Sequence, residues 1–342
     1  SQSGLTISGE GDSTIIESPN SADLNTIGLE ENSARDPEIK KRSIRTPVAV
    51  LGSSAIKLSD IQVDGRNQGA GGQAFFGIYV ENSSGSIVDT NVVNATGGGN
   101  SSPTGNQFID AIRVQNSDDE DRQFAIKNVS VEKFNKNGIT AQSVGDGNLS
   151  VDVTGSTVIG AGPTDATAQN GISLTDVSAT VTDNTVVNLS YTKDGANSGY
   201  ISTTSISDSE FTGNTLRDEV PSEGAPTGIY LTGSDDVTFA GNTIEGTAFG
   251  IFPNSGASDT EIESNTLRGQ DTAILLSGSD DESIRSNTFE DNTRHLRDYD
   301  AETNLQELVA NNTFDTAAYA EGGQQFLYSS IDDAINGDLL SG

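Results

Sequence analysis

The sequence GIYLTGSDDVTFAGNTIEGTAF, residues 228–249, is followed by two variants of itself. They read GIFPNSGASDTEIESNTLRGQDT (250–272) and AILLSGSDDESIRSNTF (273–289). Each segment has Gly or Ala before an Ile, then a Ser-Asp turn, a second apolar run and an Asn-Thr pair. Ile229, Ile251 and Ile274 are 22 and 23 residues apart. A fixed period of this size is typical of a solenoid, in which each unit buries its apolar side against the next unit.

The repeated unit consists of strands rather than helices. Apolar and polar residues alternate around Ile229 and Leu231, and again around Val237 and Phe239, which is the two-residue period of a strand. Turn-forming residues interrupt each run after a few positions. Short strands in a unit of about 22 residues, stacked at about 4.8 Å per unit, make one coil of a parallel β-helix.

The Gly-Ile and Asn-Thr repeats resemble those of the right-handed parallel β-helix (pectin-lyase-like) superfamily. The form is similar to that of carbohydrate-binding and sugar-hydrolysis repeat proteins, and the resemblance covers about residues 4–316. It implies an all-β fold, a single right-handed parallel β-helix solenoid of about ten coils within residues 1–328. It says little about function, because this scaffold carries many activities.

Insertions lengthen five of the coils just before the Gly-Ile strand. They span residues 65–75, 94–108, 160–170, 188–198 and 217–227. Because all five fall at the same position of the repeat, we expect loops inserted at one corner, which form a wall beside one sheet. Loops on a rigid scaffold often carry binding residues, although solenoids also tolerate insertions at exposed turns that have no function.

The composition is strongly acidic. Among 342 residues, 50 are Asp or Glu and 18 are Lys or Arg, for a formal net charge of −32. The acids are spread over every coil and Lys is scarce, which favours a halophilic protein, whose self-repulsion is screened by salt. An ordinary acidic secreted protein is the alternative. This charge argues against nucleic-acid binding.

Other classes of chemistry are limited by what the sequence lacks. There is no Cys, so disulfides and thiol chemistry cannot occur. His295 is the single histidine, so a His-built metal site is excluded. No apolar run approaches the length of a membrane span. The chain opens on SQSG, as a mature or excised product would, and we expect an extracellular or cell-surface location.

Two segments depart from the repeat and suggest self-assembly. Residues 18–46 carry a basic cluster, which is either a solvated loop or a contact to the acidic flank of another subunit. Residues 329–342 have helical spacing and resemble the capping helix that begins β-helix domains of this superfamily. Since no cap precedes the first coil, we expect a head-to-tail homopolymer or tandem array. The predicted interface residues are Leu5, Ile7, Arg35, Lys40, Lys41, Arg42, Arg45, Ile331, Asp332, Asp333 and Ile335.

Two sets of polar residues recur at the corners of the coils. The Asn of each Asn-Thr pair is expected to point inward and bond to its copy in the next coil, which is a structural role. These residues are Asn184, Asn214, Asn242, Asn265, Asn287 and Asn312. Carboxylates at the Ser-Asp turns are either solvated or ligands for Ca²⁺, the one cofactor considered. The candidate ligands are Asp235, Asp236, Asp280 and Asp281.

The residue after each inward Ile should face outward, and four of these residues are candidate carbohydrate contacts. They are Tyr79, Arg113, Tyr230 and Phe252. Exposed aromatics either hold sugar rings or cover an interface. No catalytic residue is assigned: Arg113 with Asp110 is the only pair on this face that resembles a catalytic one, and no carboxylate triplet lies there.

Three functions remain open on this sequence. The first is an extracellular structural or adhesive subunit of a surface fibre, sheath or tandem-repeat surface protein, with itself and a surface polysaccharide as partners. The second is a polysaccharide lyase, hydrolase or epimerase, and the third is a viral receptor-binding spike. The empty catalytic face and the uncapped first coil favour the first function.

Overall fold

A computed structural model describes residues 3–20, 26–27, 44–69, 73–99, 102–193, 196–218, 226–300, 303–316, 318–320 and 325–328. Several predicted interface residues lie outside the described residues, and their predictions stand untested. They are Arg35, Lys40, Lys41, Arg42, Ile331, Asp332, Asp333 and Ile335.

The strands, numbered along the chain, form three sheets. The first sheet contains β1 (Ser3–Ser8), β6 (Ala55–Ser59), β9 (Gly85–Val88), β12 (Arg122–Lys127), β15 (Leu149–Thr154), β18 (Ser178–Thr182), β21 (Ser207–Thr212), β24 (Asp235–Ala240), β27 (Ser258–Glu263) and β30 (Ser283–Arg285). The second contains β2 (Ile15–Glu17), β7 (Gln62–Asp64), β10 (Asn91–Ala95), β13 (Ser130–Phe134), β16 (Thr157–Ile159), β19 (Thr185–Val187), β22 (Thr215–Arg217), β25 (Thr243–Glu245), β28 (Thr266–Arg268), β31 (Thr288–Glu290) and β33 (Thr313–Phe314). The third contains β3 (Thr26–Ile27), β4 (Ile44–Arg45), β8 (Ala74–Glu81), β11 (Ile109–Asn116), β14 (Asn137–Ser143), β17 (Asn170–Thr175), β20 (Gly199–Thr204), β23 (Thr227–Thr232), β26 (Phe249–Asn254), β29 (Thr272–Leu276), β32 (Arg294–Asp298), β35 (Gln325–Tyr328) and β34 (Ala318–Ala320), in that spatial order, with β5 (Val48–Leu51) also on β8.

The chain visits the three sheets in turn, and each strand pairs with the equivalent strand of the neighbouring coil. All described pairs in the first two sheets are parallel. The ten strands of the first sheet give one strand per coil, which confirms the predicted all-β solenoid of about ten coils. Each of the five insertions joins a strand of the second sheet to one of the third, so they share one corner, as predicted.

A small backbone irregularity explains the Gly-Ile repeat. In the third sheet the ladder pairs Asp110 with Asn137 and Ile112 with Ile139, and skips the residue between. A Cβ atom added to Gly250, in this skipped position, would lie 2.3 Å from the carbonyl oxygen of Ala273 on the next coil. A Cβ atom does not fit at this distance, which explains the Gly at this position of the repeat. The irregularity also brings residues three apart, such as Asp110 and Arg113, to the same outer face.

The apolar core runs along the inside of the coils as one continuous cluster. It includes the Ile of each Gly-Ile repeat and the aromatic pair Phe211 and Phe239, whose ring centres are 5.1 Å apart. A second, smaller cluster lies outside the coils, on the outer face of the third sheet. This second cluster covers part of the face on which carbohydrate contacts were predicted.

The late coils depart from a regular β-helix in a way that the sequence analysis did not predict. Helix α1 (Leu305–Asn311) follows β32 and packs Leu305 and Leu308 into the core. Strands β35 and β34 then extend the third sheet antiparallel to β32 and to each other. Among the described residues, no helix has the length and apolar character needed to cross a membrane.

Candidate functional site

The outer face of the third sheet carries two rows of side chains that run along the solenoid. The first row holds Tyr79, Arg113, Thr140, Ser173, Ser202, Tyr230 and Phe252. The second row, beside the loop wall, holds Asp110, Asn137, Asn170, Gly199, Thr227 and Phe249. All four predicted carbohydrate contacts belong to the first row, but they lie in two different environments.

Tyr79 and Arg113 face away from the coil interior but are buried. Their relative exposures are 1% and 6%. Tyr79 belongs to the second apolar cluster, together with Phe76 and with Ile44 from β4. The Arg113 guanidinium lies 5.3 Å from the centre of the Phe76 ring. The expectation that these two side chains are exposed is therefore corrected, because Tyr79 packs with Ile44 and Phe76, and Arg113 lies against the same Phe76 ring.

Arg113 forms an ion pair with Asp110, whose exposure is 0%. The Arg113 Nη1 atom lies 3.1 Å from Asp110 Oδ2, which also accepts from the Thr140 hydroxyl at 3.1 Å. Asp110 Oδ1 accepts from Asn137 Nδ2 at 2.8 Å. Burial raises the pKa of the Asp110 carboxyl, and the Arg113 charge and the hydrogen-bond donors counteract that rise. The pair is thus enclosed rather than presented to a substrate, and Arg113 Nε has no hydrogen-bond partner in the described chain.

A polar ladder leads from Asp110 along the second row. Asn137 Oδ1 accepts from Asn170 Nδ2 at 3.0 Å, and Asn170 Oδ1 accepts from the Gly199 backbone N–H at 3.1 Å. Since the Gly199 backbone N–H can only donate, it fixes the orientation of the Asn170 amide and, through it, of the Asn137 amide. The sequence analysis missed this ladder. The available signal was an Asp or Asn immediately before the Gly-Ile or Ala-Ile pair at positions 110, 137 and 170.

Further along the same face the rows open into a groove of about 490 Å³. Tyr230 and Phe252 lie together there, with ring centres 5.3 Å apart in an edge-to-face arrangement. Both are partly exposed, and the Tyr230 hydroxyl accepts from Asn254 Nδ2 at 2.8 Å. The residues that line the groove are Lys136, Asn170, Ala196, Asn197, Ser198, Gly199, Ser202, Thr227, Tyr230 and Phe252.

Two groups in this groove have unusual surroundings. Lys136 is half-buried, and its ammonium group donates to the carbonyl oxygen of Ala168. Burial lowers the pKa of Lys136, while the negative charge of Asp110 raises it. The Ser198 hydroxyl is buried and has no hydrogen-bond partner in the part of the chain that the structure describes. Sequence reasoning identified neither residue, because both precede strands at the loop corner and belong to no repeat position.

The asparagines of the Asn-Thr pairs form a second, internal ladder at another corner. From Asn184 to Asn312, each side-chain Nδ2 donates to the Oδ1 of the next asparagine at 2.9–3.0 Å. Each Oδ1 also accepts the backbone N–H of the preceding asparagine, as Asn242 does from Asn214 at 2.9 Å. Asn242 Nδ2 additionally donates to the Phe211 carbonyl at 2.8 Å. The ladder satisfies buried backbone groups and leaves no atom for a ligand.

The four candidate calcium ligands are exposed and are not brought into one site: Asp235 and Asp236 begin β24, and Asp280 and Asp281 precede β30. Asp236 and Asp281 have φ angles of 54° and 62°, a left-handed conformation that Asp tolerates better than most residues. Asp235 accepts from the Ser258 hydroxyl at 2.7 Å. Within the described ranges, no group of three or more Asp, Glu or His side chains is placed to hold a metal ion.

The described residues of the predicted assembly interface lie on two sheets. Leu5 and Ile7 are on β1, the outermost strand of the first sheet, with exposures of 44% and 39%. Ile15 on β2 is also exposed. Arg45 lies on β4, on the third sheet. The apolar edge and this cation therefore belong to different faces of the solenoid.

A protein-family model agrees with this architecture. The family model described as "Right handed beta helix region" matches residues 110–314. The enzymatically active domain of bacteriophage CBA120 tailspike protein 2 is a similar solved structure, with a TM-score of 0.45 and 15% identity over 79% of this chain. The chain spans 42% of that tailspike chain. Comparison with curated proteins gives no match. The model match covers more than half of the residues, and the chain belongs to the right-handed β-helix family.

Proposed function

We propose that this protein is an extracellular or cell-surface β-helix that holds a glycan in the groove without cleaving it. The observation that carries the proposal is the partly exposed pair Tyr230 and Phe252 in an open groove beside the loop wall. A volume of about 490 Å³ lies within the range of small-ligand sites. Aromatic rings supply an apolar surface for a sugar ring, and the neighbouring amides and hydroxyls both donate to and accept from sugar hydroxyls.

Binding is better supported than catalysis. Glycoside hydrolysis uses a pair of carboxyl groups around the scissile bond, and proton transfer needs a titratable group within reach. The described lining of the groove contains no carboxylate and no histidine. Asp110, the nearest acid considered above, is fully buried and bonded to Arg113. A glycoside hydrolase would need a pair of carboxyl groups that the described lining of the groove does not present.

Affinity measurements with a panel of neutral and acidic oligosaccharides test the proposal. Replacing either Tyr230 or Phe252 by Ala should weaken glycan binding about tenfold, since an aromatic contact contributes about 1 kcal/mol beyond its buried area. Tyr299→Ala is the matched control, because Tyr299 is an exposed tyrosine outside the groove. Release of reducing ends or unsaturated sugars from any panel member would contradict the binding-only function, as would binding that both aromatic variants retain.

The structural part of the proposal is head-to-tail self-association, as in a surface fibre, sheath or tandem array. Its support is the apolar edge formed by Leu5 and Ile7 on the outermost strand β1, since exposed strand edges invite pairing with another chain. Sedimentation at molar NaCl should show oligomers that Leu5→Lys with Ile7→Lys disperses into folded monomers. A wild-type protein that stays monomeric at high concentration and high salt would contradict the proposed self-association. The acidic composition supports a high-salt extracellular setting.

A further inference from the structure

We propose that the groove selects an anionic glycan, whose carboxylate or sulfate group is bound by Lys136 and Ser198. This inference rests on the proposed function and names the class of sugar that the groove takes. It is distinct from the aromatic contacts, which any sugar ring could use.

The charge of the groove is opposite to that of the molecule. The chain carries a formal net charge of −32, yet the described residues that line the groove include one cation, Lys136, and no carboxylate. Lys136 takes part in no ion pair within the described chain. An ammonium group has three donors, and the bond to the Ala168 carbonyl uses one of them. Two donors remain for a ligand.

Asp110, whose negative charge acts on Lys136, does not compete for this role. Asp110 accepts from Arg113, Thr140 and Asn137, so its charge is already compensated within the sheet. Burial nevertheless lowers the pKa of Lys136. A half-buried ammonium with an incomplete set of partners is stabilised by an anion, because hydrogen bonds between charged groups are stronger than those between neutral groups.

The Ser198 hydroxyl is an independent observation that points to a ligand. Ser198 lines the groove with an exposure of 1%, and its Oγ atom has no hydrogen-bond partner in the described chain. Leaving a buried hydroxyl unpaired costs stability. The adjacent backbone N–H of Gly199 is already bonded to Asn170, so the hydroxyl is the donor that remains. Anionic oxygens accept from a hydroxyl as well as from an ammonium group.

The large negative charge of the protein does not prevent this binding. Repulsion between exposed charges is screened beyond about 8 Å at physiological ionic strength, and beyond about 3 Å at 1 M salt. A direct contact to Lys136, in a partly desolvated groove, is screened much less. At high salt the local attraction therefore outweighs the repulsion from distant carboxylates.

Calorimetric titration of charged and neutralised forms of the same sugar tests the inference. The probes are a uronic-acid oligosaccharide with its methyl ester, and a sulfated galactan oligosaccharide with its desulfated form. The charged form of at least one pair should bind more tightly than its neutral form, and the pair that discriminates identifies carboxylate or sulfate. Lys136→Met should weaken binding of the charged form about tenfold to a hundredfold and leave the neutral form unchanged.

Matched variants keep the result interpretable. Lys133→Met removes an exposed lysine on the second sheet and should change the affinity for neither the charged nor the neutral sugar. Ser198→Ala should weaken binding of the charged sugar only. Thermal melting verifies that each variant is folded. Equal affinity for charged and neutral forms, or a Lys136→Met variant that behaves like Lys133→Met, overturns the anionic site while the glycan-binding function stands. Failure of every sugar to bind the wild-type protein overturns both.

Discussion

Replacing Asn242 by Ala should cause one of the largest losses of stability available from a single polar side chain here. Asn242 is fully buried at the middle of the corner ladder. Its Oδ1 accepts both the backbone N–H and the Nδ2–H of Asn214 at 2.9 Å, and its Nδ2 donates to the Phe211 carbonyl at 2.8 Å. Asn242 Nδ2 also donates to Asn265 Oδ1 at 3.0 Å, so the substitution removes four hydrogen bonds to buried groups at once.

The expected magnitude follows from the cost of unpaired buried groups. Each loses about 1 to 3 kcal/mol when its partner is removed, and relaxation or an entering water recovers part of this. We expect the free energy of unfolding to fall by about 3 to 5 kcal/mol. Because each coil of a solenoid contacts only its neighbours, the loss should concentrate on the coils that carry Asn214 and Asn242.

Hydrogen exchange measured residue by residue is the suitable assay, since long repeat arrays need not unfold in one step. The Asn214 amide proton, which loses its acceptor, should exchange at least a hundredfold faster. Thr243→Ala is the matched control, because Thr243 is the next residue, is partly exposed and has no side-chain hydrogen bond to any described residue. If Asn242→Ala costs less than about 1 kcal/mol, or no more than Thr243→Ala, the ladder does not stabilise the solenoid as reasoned here.

Three other perturbations give distinct outcomes. Burial lowers the pKa of His295, so the folded state binds a proton on this side chain less readily than the unfolded state does. The free energy of unfolding should therefore fall as the pH drops below about 6.5. Melting curves of His295→Gln should lack this part of the pH dependence. Gly250→Ala places a Cβ atom 2.3 Å from the Ala273 carbonyl oxygen and should cost about 2 kcal/mol or more in urea unfolding, whereas Gly105→Ala, whose Cβ meets nothing closer than 3.8 Å, should be nearly neutral. Lowering NaCl from molar to tens of millimolar should reduce the melting temperature, because the formal charge of −32 then repels itself over a longer range; an unchanged melting temperature would count against the halophilic interpretation.

The solenoid was predictable because its causes are local and repeated. Asn242 and its copies must occupy the same position in successive coils to form the corner ladder. Gly250 must be small because the backbone of the next coil passes at close distance. Both requirements recur at a fixed spacing, so they are visible in one sequence. The alternation around Val237 and Phe239 likewise reports which side chains enter the core.

The environment of the outer face was not predictable in the same way. Tyr79 and Tyr230 occupy equivalent positions of the repeat, yet the first is buried in the second apolar cluster and the second lies in the open groove. What covers a repeat position depends on where an irregular insertion folds back, and periodicity contains no information about that. Helix α1 was missed although Asn304 caps it by accepting the Glu307 backbone N–H at 3.2 Å, because its seven residues are too few for a periodic signal.

The two ends of the described solenoid differ in the strand pairing that they offer to another chain. Strands β1 and β2 are the outermost strands of their sheets, so another chain could continue a parallel ladder there. At the opposite end β35 and β34 run antiparallel to the coils, and a parallel register cannot pass through a strand of reversed direction. In the third sheet, a neighbour that docks at this end can therefore pair only in the antiparallel sense, while the other two sheets end in the parallel strands β30 and β33. Such a junction cannot continue all three parallel ladders, so an assembled rod should come apart into folded subunits before any coil unwinds.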